Sequence, residues 1–431
     1  MSKRHQIHTF IAPKLRAVTH FLLAQGLTMA GNLIYGFLCL RMLNITDYAM
    51  YSVMFGFMGT LTVLLNAGVS NTLAPLVGEQ VYNLSLIADY TASIRKIALK
   101  LYLIVTPPGM IVFAILTKRQ KWGWAVIVQM IIALGVAAWF ARVSASYSAV
   151  LLLLRDRTRY YRIQIVGCLG SLALLILCDR IHLLNIYTAI ALNVAQITYY
   201  AIAYYRRATE LLVVKGQSSH SKQKAIIRLS LPNLPSIVFY AVQGQISVLL
   251  ITAFGKNSSS IAGIGALGRL GQLFVLFAQM NPVLIEPFFA KLSAARLKRL
   301  YGAGVICVVC FSFSVSALAF FSPEVFLWIL GPKYQDLRVE VGLAILGSAI
   351  RFLNGFMWTV NSARRFVYWG NNLTIIIGTL TVQAFFLWKS DLSTVRGVLI
   401  LNIVTAVVEM LSIGSGAIYG FWRGPQSIEG S

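Results

Sequence analysis

Long apolar runs separated by short polar segments fill this chain from residue 18 to residue 421. A helix needs about 20 apolar residues to cross the hydrocarbon core of a bilayer. The pattern therefore predicts an all-α polytopic membrane protein with about 12 transmembrane helices. The predicted spans are 18–42, 48–75, 96–117, 122–150, 161–179, 183–205, 231–254, 261–290, 300–321, 339–362, 366–388 and 395–421.

Polar residues recur inside several spans at helical spacing, which places them along one face of a helix. In the eighth span this stripe contains Arg269, Gln272, Gln279 and Glu286. An arginine in hydrocarbon costs about 2.5–3.5 kcal/mol on insertion scales, so it faces a protein interior or a water-filled cavity. The stripe therefore predicts one wall of a pathway through the membrane. Further candidates are Asn32 in the first span, Arg142 in the fourth, Arg351, Asn354, Trp358 and Asn361 in the tenth, and Glu409 in the twelfth.

Helix packing offers an alternative interpretation of the same residues. In lipid, amide and hydroxyl side chains form hydrogen bonds between helices that contribute about 1 kcal/mol each. An Arg–Glu pair between two helices would likewise be structural. Arg142 is also compatible with the cytoplasmic end of a shorter fourth helix. The sequence alone leaves both interpretations open.

Two carboxyl groups are candidates for coupling to an ion gradient of H⁺ or Na⁺. Glu409 lies near the middle of its span, where a protonatable group suits a coupling role. Glu286 lies near the inner face between Pro282 and Pro287, which favours an interfacial role over a coupling role. No other cofactor and no metal site is expected, because the pair Cys307 and Cys310 has no second pair or His cluster to complete such a site.

Composition and charge narrow the class of protein. The chain is 58% hydrophobic and only 12% charged, against about 25% charged residues in soluble domains. The net charge of +24 comes from 37 Lys and Arg against 13 Asp and Glu. These cations concentrate in segments on one side of the predicted spans, which indicates two cytoplasmic termini rather than a nucleic-acid surface.

The predicted spans divide evenly around a polar segment. We expect a basic interfacial segment at 1–17, an N-terminal lobe of six helices at 18–205, a cytoplasmic linker at 206–230, a C-terminal lobe of six helices at 231–421, and a cytoplasmic tail at 422–431. Gly31-Asn32 and Gly244-Gln245 match at an offset near 213. Because each half has an even number of helices, the pattern predicts a parallel pseudo-two-fold repeat.

Prolines predict bends at several helix ends. Pro75 and Pro287 close the second and eighth spans at corresponding places, which suits moving gates, and Pro107-Pro108 is expected to bend or break the third span.

Short motifs resemble a known family. Leu40-Arg41-Met42-Leu43, followed by Asp47-Tyr48-Ala49-Met50-Tyr51, is similar to that family's Arg-x-Leu and Tyr-Gly-x-Tyr-like pattern, with Ala49 in place of the usual Gly. Leu330-Gly331-Pro332-Lys333-Tyr334 resembles its Leu-Gly-x-x-Tyr element. On these motifs and on its layout, the chain resembles the polysaccharide (O-antigen type) flippases of the Wzx group. These belong to the exporter superfamily that includes multidrug and toxin extruders (MATE) and lipid II flippases. Gln245 departs from the pattern, because many members have an acidic residue there.

The resemblance implies a MATE-like fold of two six-helix lobes in the bacterial plasma (inner) membrane. The substrate would be an undecaprenyl-pyrophosphate-linked oligosaccharide, moved between leaflets by alternating access for surface polysaccharide biosynthesis. A glycan polymerase and a chain-length regulator would be partners, besides membrane lipids and without nucleic acid. A guanidinium group can donate two parallel hydrogen bonds to the oxygens of a pyrophosphate. Amide and aromatic side chains are suited to contact sugar hydroxyls. The expected substrate-binding residues are Arg269, Arg351, Arg142, Gln272, Gln279, Asn354, Trp358, Asn361 and Asn32; Arg41, Pro75 and Pro287 are the expected gate and outer-loop residues.

Two other functions compete with this one. An ion-coupled MATE-type exporter of small drugs or other lipid-linked substrates would have the same fold, although a site for cations favours acidic residues. A polytopic acyltransferase or glycan polymerase belongs to a different class. All five His residues lie at or beyond span ends and no Asp-x-Asp pair occurs, so the chain is not expected to be an enzyme.

Overall fold

Helices form nearly all of the computed structural model, which describes residues 25–78, 80, 82–255 and 257–423. Within these residues, eleven helices are long and apolar enough to cross a membrane. Residues 25–42 form a further helix, α1, whose beginning lies outside the described part, as do the predicted interfacial segment 1–17 and most of the predicted tail. The all-helical polytopic fold predicted from the sequence is confirmed.

Residues 38–265 form one compact unit. Its helices are α2 (Ile45–Asn66), α3 (Leu73–Val77), α4 (Leu84–Arg119), α5 (Trp124–Leu153), α6 (Arg157–Arg180), α7 (Ile186–Leu212), α8 (His220–Ser230), α9 (Leu234–Gln243) and α10 (Ile246–Phe254), followed by the start of α11 (Ser258–Ala278). The core of this unit lies where α4, α5, α7 and α8 meet, and includes the fully buried Ile87, Val150 and Ile226.

The segment between α7 and α8 packs against α4. A Cβ atom added to Gly216 would lie 2.0 Å from the carbonyl oxygen of Ala88, so only glycine permits this approach. The backbone N–H of Gln217 donates to Asp89 Oδ1 at 2.6 Å, and Lys222 forms a salt bridge with the same carboxylate. Most of the region predicted as a linker at 206–230 is therefore helical, and its irregular part is residues 213–219.

The second compact unit contains residues 1–37 and 266–431, described over 25–37 and 266–423. Its elements after α11 are a π-helical turn (Asn281–Ile285), α12 (Glu286–Ala290), α13 (Ala294–Phe321), α14 (Pro323–Leu330), α15 (Arg338–Ala363), α16 (Trp369–Lys389) and α17 (Val395–Arg423). Helix α15 packs against both α13 and α17. The limits of the two units fall within α1 and α11, and the lobe boundaries 18–205 and 231–421 stay a prediction.

Several predicted spans differ from the observed helices. The second span was predicted to run from 48 to 75, but α2 ends at Asn66, where Ala67 and Gly68 have φ of 42° and 72°. The seventh is interrupted at Gly244-Gln245, between α9 and α10. The third was predicted at 96–117, but α4 begins at Leu84 and continues through the proline pair 107–108 without a break. Hydropathy marks only the apolar part of such a helix, and α4 extends beyond it into polar sequence.

Helix bounds repeat along the chain at the predicted offset. Helix α2 begins at Ile45 and α11 at Ser258, while the short helices α3 and α12 begin at Leu73 and Glu286, so both pairs begin 213 residues apart. In each half a long helix is thus followed by an irregular turn and a five-residue helix. These matching bounds support the internal repeat beyond the few residue identities seen in sequence.

Replacing Gly331 with Ala is expected to lower the thermal midpoint of the purified protein. Gly331 has φ 100° and ψ 174°, a conformation essentially restricted to glycine, and it lies between the buried side chains of Leu330 and Tyr334. Another residue there would cost about 1–3 kcal/mol. The control is Gly302→Ala in α13, where an added Cβ meets open space. Equal midpoints for the two variants would contradict the prediction.

Candidate functional site

Arg269 is a buried cation within an apolar helix. Its neighbours in α11 include Leu267 and Leu270, both almost fully buried, and Arg269 itself is only 6% exposed. The Nη1 group donates to Oε1 of Gln272 at 3.2 Å. Residues three apart lie on one face of a helix, so Gln272 is placed to orient the guanidinium group. The structure thus brings these two predicted site residues together.

Gly36 in α1 forms the surface over which the Arg269 side chain lies. An added Cβ at Gly36 would be 2.9 Å from Arg269 Nη1 and 3.1 Å from its Cδ. Such distances require the side chain to move. Gly36 therefore leaves the space that the Arg269 side chain occupies. The sequence did not reveal this contact, because one glycine in an apolar helix has many explanations without knowledge of its neighbour.

Replacing Gly36 with Ala is expected to impair function at Arg269 without removing a charge. The extra methyl group displaces the end of a flexible side chain, which is cheap in stability, but it shifts the guanidinium donors. We expect reduced transport with normal protein abundance in membranes. Gly26→Ala in the same helix is the matched control, because an added Cβ there meets nothing within 4 Å. Equal transport by both variants would show that the position of Arg269 is unimportant.

The stripe that begins at Arg269 does not continue along one helix, contrary to the sequence prediction. Helix α11 ends at Ala278, so Gln279 lies in the turn after it. A π-helical turn follows, and Glu286 is an exposed residue at the start of α12. Proline at 282 has no backbone N–H to donate to the carbonyl of Ala278, which accounts for the end of the helix there. Of the four residues in the predicted stripe, Arg269 and Gln272 lie within α11 and share one face of it.

A second polar group lies between α15 and α17. Glu409 is 7% exposed, and within the described residues its Oε1 atom has no hydrogen-bond partner and the carboxylate no salt bridge. Asn354 lies beside Glu409, and the charge of the half-buried Arg351 acts on the same carboxyl. Two predicted residues from different spans, Asn354 and Glu409, are therefore neighbours in the second unit, and the charge of Arg351 acts on the carboxyl.

Asparagines on α15 join it to α17 by two equivalent hydrogen bonds. Asn354 Nδ2 donates to the carbonyl oxygen of Ala406 at 2.9 Å, and Asn361 Nδ2 donates to that of Ile413 at 3.0 Å. Each pair is separated by the same number of residues along the chain, so the two bonds repeat one heptad apart. Such hydrogen bonds between two helices are what the helix-packing interpretation of these asparagines predicts. Trp358 on the same helix is half-buried, and substrate binding by all three residues stays a prediction.

Arg142 is another buried cation among the predicted site residues. Arg142 belongs to the unit of residues 38–265, where it is 9% exposed. Its Nη1 donates to the carbonyl oxygen of Arg95 at 3.5 Å, and its guanidinium carbon lies 4.1 Å from the ring centroid of Trp139. Because Arg142 is inside α5, which extends to Leu153, it does not mark the end of a shorter helix.

The predicted gate residues occupy exposed positions. Arg41 is exposed on α1, Pro75 on α3 and Pro287 on α12, and Asn32, predicted to bind substrate, is also exposed on α1. Both prolines lie in the short helices that repeat between the two halves, as the sequence predicted for corresponding span ends. Their role as gates stays a prediction.

Comparisons with known proteins concern the fold. No protein-family model matches the chain, and no curated protein is significantly similar to it in sequence. Among solved structures, it is similar to an inward-facing multidrug resistance MATE family transporter of the MOP superfamily, with a TM-score of 0.68 and 12% identity over 93% of this chain and 96% of that one.

Two further solved structures of MATE transporters are similar to the chain in fold. A MATE transporter in the bent conformation matches with a TM-score of 0.62 and 13% identity over 94% of each chain. A eukaryotic MATE transporter matches with a TM-score of 0.58 and 14% identity over 94% of this chain and 95% of that one. The chain therefore has the fold of the MATE transporters, and its described residues contain eleven helices that are long and apolar enough to cross a membrane.

Proposed function

We propose that this protein is a flippase that moves an undecaprenyl-pyrophosphate-linked oligosaccharide across the bacterial inner membrane by alternating access. The observation that carries the proposal is Arg269, a guanidinium group held by Gln272 and Gly36 inside an apolar helix. A built arginine site within a membrane helix suits an anionic substrate, and guanidinium presents paired donors to phosphate oxygens.

Arg351 would complete the headgroup site from α15 in the same compact unit. Two arginines would balance the charge of a pyrophosphate, which carries at least two negative charges. The lipid tail remains in the bilayer, and the sugars contact amide and aromatic side chains. The resemblance of the loop motifs to O-antigen flippases supports the same substrate class. A glycan polymerase and a chain-length regulator are the proposed partners.

The test is translocation by the purified protein in liposomes. A labelled polyprenyl-pyrophosphate-linked oligosaccharide should move between leaflets at a rate that depends on the protein. The same oligosaccharide on an uncharged lipid should not move. Protein-dependent movement of both lipids, or of neither, would exclude the proposed substrate class.

A second candidate is ion-coupled export of small cationic compounds. Glu409 favours it, because a buried carboxyl without a salt bridge in the described residues is chemically suited to a cation. The two candidates differ in the charge of the substrate. Transport of cationic dyes that persists in Arg269→Ala and disappears in Glu409→Gln would select the drug exporter.

A further inference from the structure

Helices α6 and α7 border an open cavity of about 660 Å³ at one end of the pair. The two helices pack together and are joined by the short connection 181–185, so the start of α6 lies beside the end of α7. Arg159 and Arg162 from the first turns of α6 line the cavity together with Arg206 and Arg207 from the last turns of α7. This cluster is separate from Arg269 and Arg351, which belong to the other compact unit.

Four arginines and one acid, Glu210, line this cavity. Arg207 forms salt bridges with Asp156 at 2.7 Å and with Glu210 at 3.0 Å. Across the described ranges, Arg159, Arg162 and Arg206 form no salt bridge. Three exposed guanidinium groups therefore converge where an anion would be favoured.

The other half of the cavity is apolar. It is lined by Ile163 and Val166 from α6 and by Tyr199 and Ile202 from α7. Val166 is 48% exposed and Ile202 is 43% exposed. Both belong to helices that are apolar enough to cross a membrane, so these side chains are suited to contact lipid. Val166 lies about 10 Å along the helix from Arg159, at 1.5 Å per residue. The cavity is thus positively charged near the start of α6 and the end of α7, and apolar farther along the same two helices.

A hydrogen bond and close packing hold the two walls together. The Tyr200 hydroxyl of α7 donates to the carbonyl oxygen of Gln164 in α6 at 3.2 Å. A Cβ at Gly167 would lie 2.3 Å from the ring of Tyr200, so α6 and α7 approach closely just beyond the cavity. The cavity is therefore built into the helix pair.

We propose that this cavity is a binding site for an anionic phospholipid, whose headgroup phosphate is held by Arg159, Arg162 and Arg206. One acyl chain then follows the apolar half of the cavity along α6 and α7. Basic pockets between membrane helices recognise anionic headgroups in this way, and a molecule with charge at one end and hydrocarbon at the other matches both halves. The lipid is a bound component of the membrane and is distinct from the transported substrate.

The test uses the full-length protein in detergent with added phosphatidylglycerol or phosphatidylcholine of the same acyl chains, read by native mass spectrometry and by the thermal midpoint. We expect phosphatidylglycerol to bind and to raise the midpoint, and phosphatidylcholine to do neither. In the triple variant R159Q/R162Q/R206Q, binding should be at least tenfold weaker. If the triple variant does not accumulate, R162Q alone should bind several-fold more weakly.

The matched control is R119Q/R180Q/R299Q, which removes three exposed arginines elsewhere and should bind phosphatidylglycerol as the parent protein does. Equal binding by the triple variant, or equal binding of phosphatidylcholine, would overturn the proposal. Displacement of phosphatidylglycerol by inorganic pyrophosphate at low concentration would also overturn it, because a free or substrate-borne phosphate would then be the ligand.

Discussion

Replacing either Arg269 or Arg351 with Ala is expected to abolish glycan export in cells while leaving the amount of protein in the membrane normal. Each change removes a guanidinium group proposed to bind the pyrophosphate. Hydrogen bonds to charged groups contribute about 1.5–3 kcal/mol, which corresponds to roughly 10- to 100-fold in binding. The measurement is surface glycan in cells that depend on this protein, normalised to its membrane abundance.

Lysine variants separate charge from geometry. Lys keeps the positive charge but lacks the planar fork of donors, so R269K and R351K should restore export only in part. The control is R299A, which removes an exposed arginine from α13 of the same compact unit and should export normally. Normal export by both Arg269→Ala and Arg351→Ala would show that neither arginine binds the substrate.

Replacing Glu409 with Gln is expected to uncouple transport from a pH gradient. The carboxyl is buried between α15 and α17, beside Asn354 and near the charge of Arg351. Gln has almost the same shape but cannot take up or release a proton. Transport in vesicles should therefore fall to the rate seen without a gradient, with the protein still folded, because an amide costs less to bury than an unpaired carboxylate.

Glu286→Gln distinguishes the two carboxyl candidates. Glu286 is exposed at the start of α12, so its substitution should leave the response to the gradient unchanged. If Glu409→Gln remains as strongly driven by the pH gradient as the parent protein, Glu409 has no coupling role. Loss of the response in Glu286→Gln alone would assign coupling to that residue.

Hydropathy and span length were sufficient to predict a helical polytopic protein, because a bilayer permits few other arrangements for so many apolar runs. The MATE-like fold was expected only from the family resemblance. The offset of 213 residues was also visible in sequence, and the starts of α2 and α11 follow it. Helix interruptions were harder to predict. The proline pair 107–108 lies inside a continuous helix, whereas Pro282 lies in a π-helical turn, and the local residue type is the same in both cases.

The charged residues of the candidate site could be predicted from the sequence, but the residues that they contact on other helices could not. Arg269 and Gln272 meet because three-residue spacing on a helix is a local property. The approach of Arg269 to Gly36, and of Glu409 to Asn354, depends on which helices pack together, and spacing along one helix carries no such information. For the same reason the sequence did not reveal that the Asn354 amide donates to a carbonyl of α17.

The central claim is that arginines inside apolar helices bind an anionic headgroup. Its most direct test is the affinity of the purified protein for a polyprenyl-pyrophosphate-linked oligosaccharide, compared with the double variant R269A/R351A. We predict that the parent protein binds this lipid and that the double variant binds it at least tenfold more weakly, consistent with loss of about 1.5–3 kcal/mol per charged hydrogen bond. Equal affinity of the two proteins would contradict the claim.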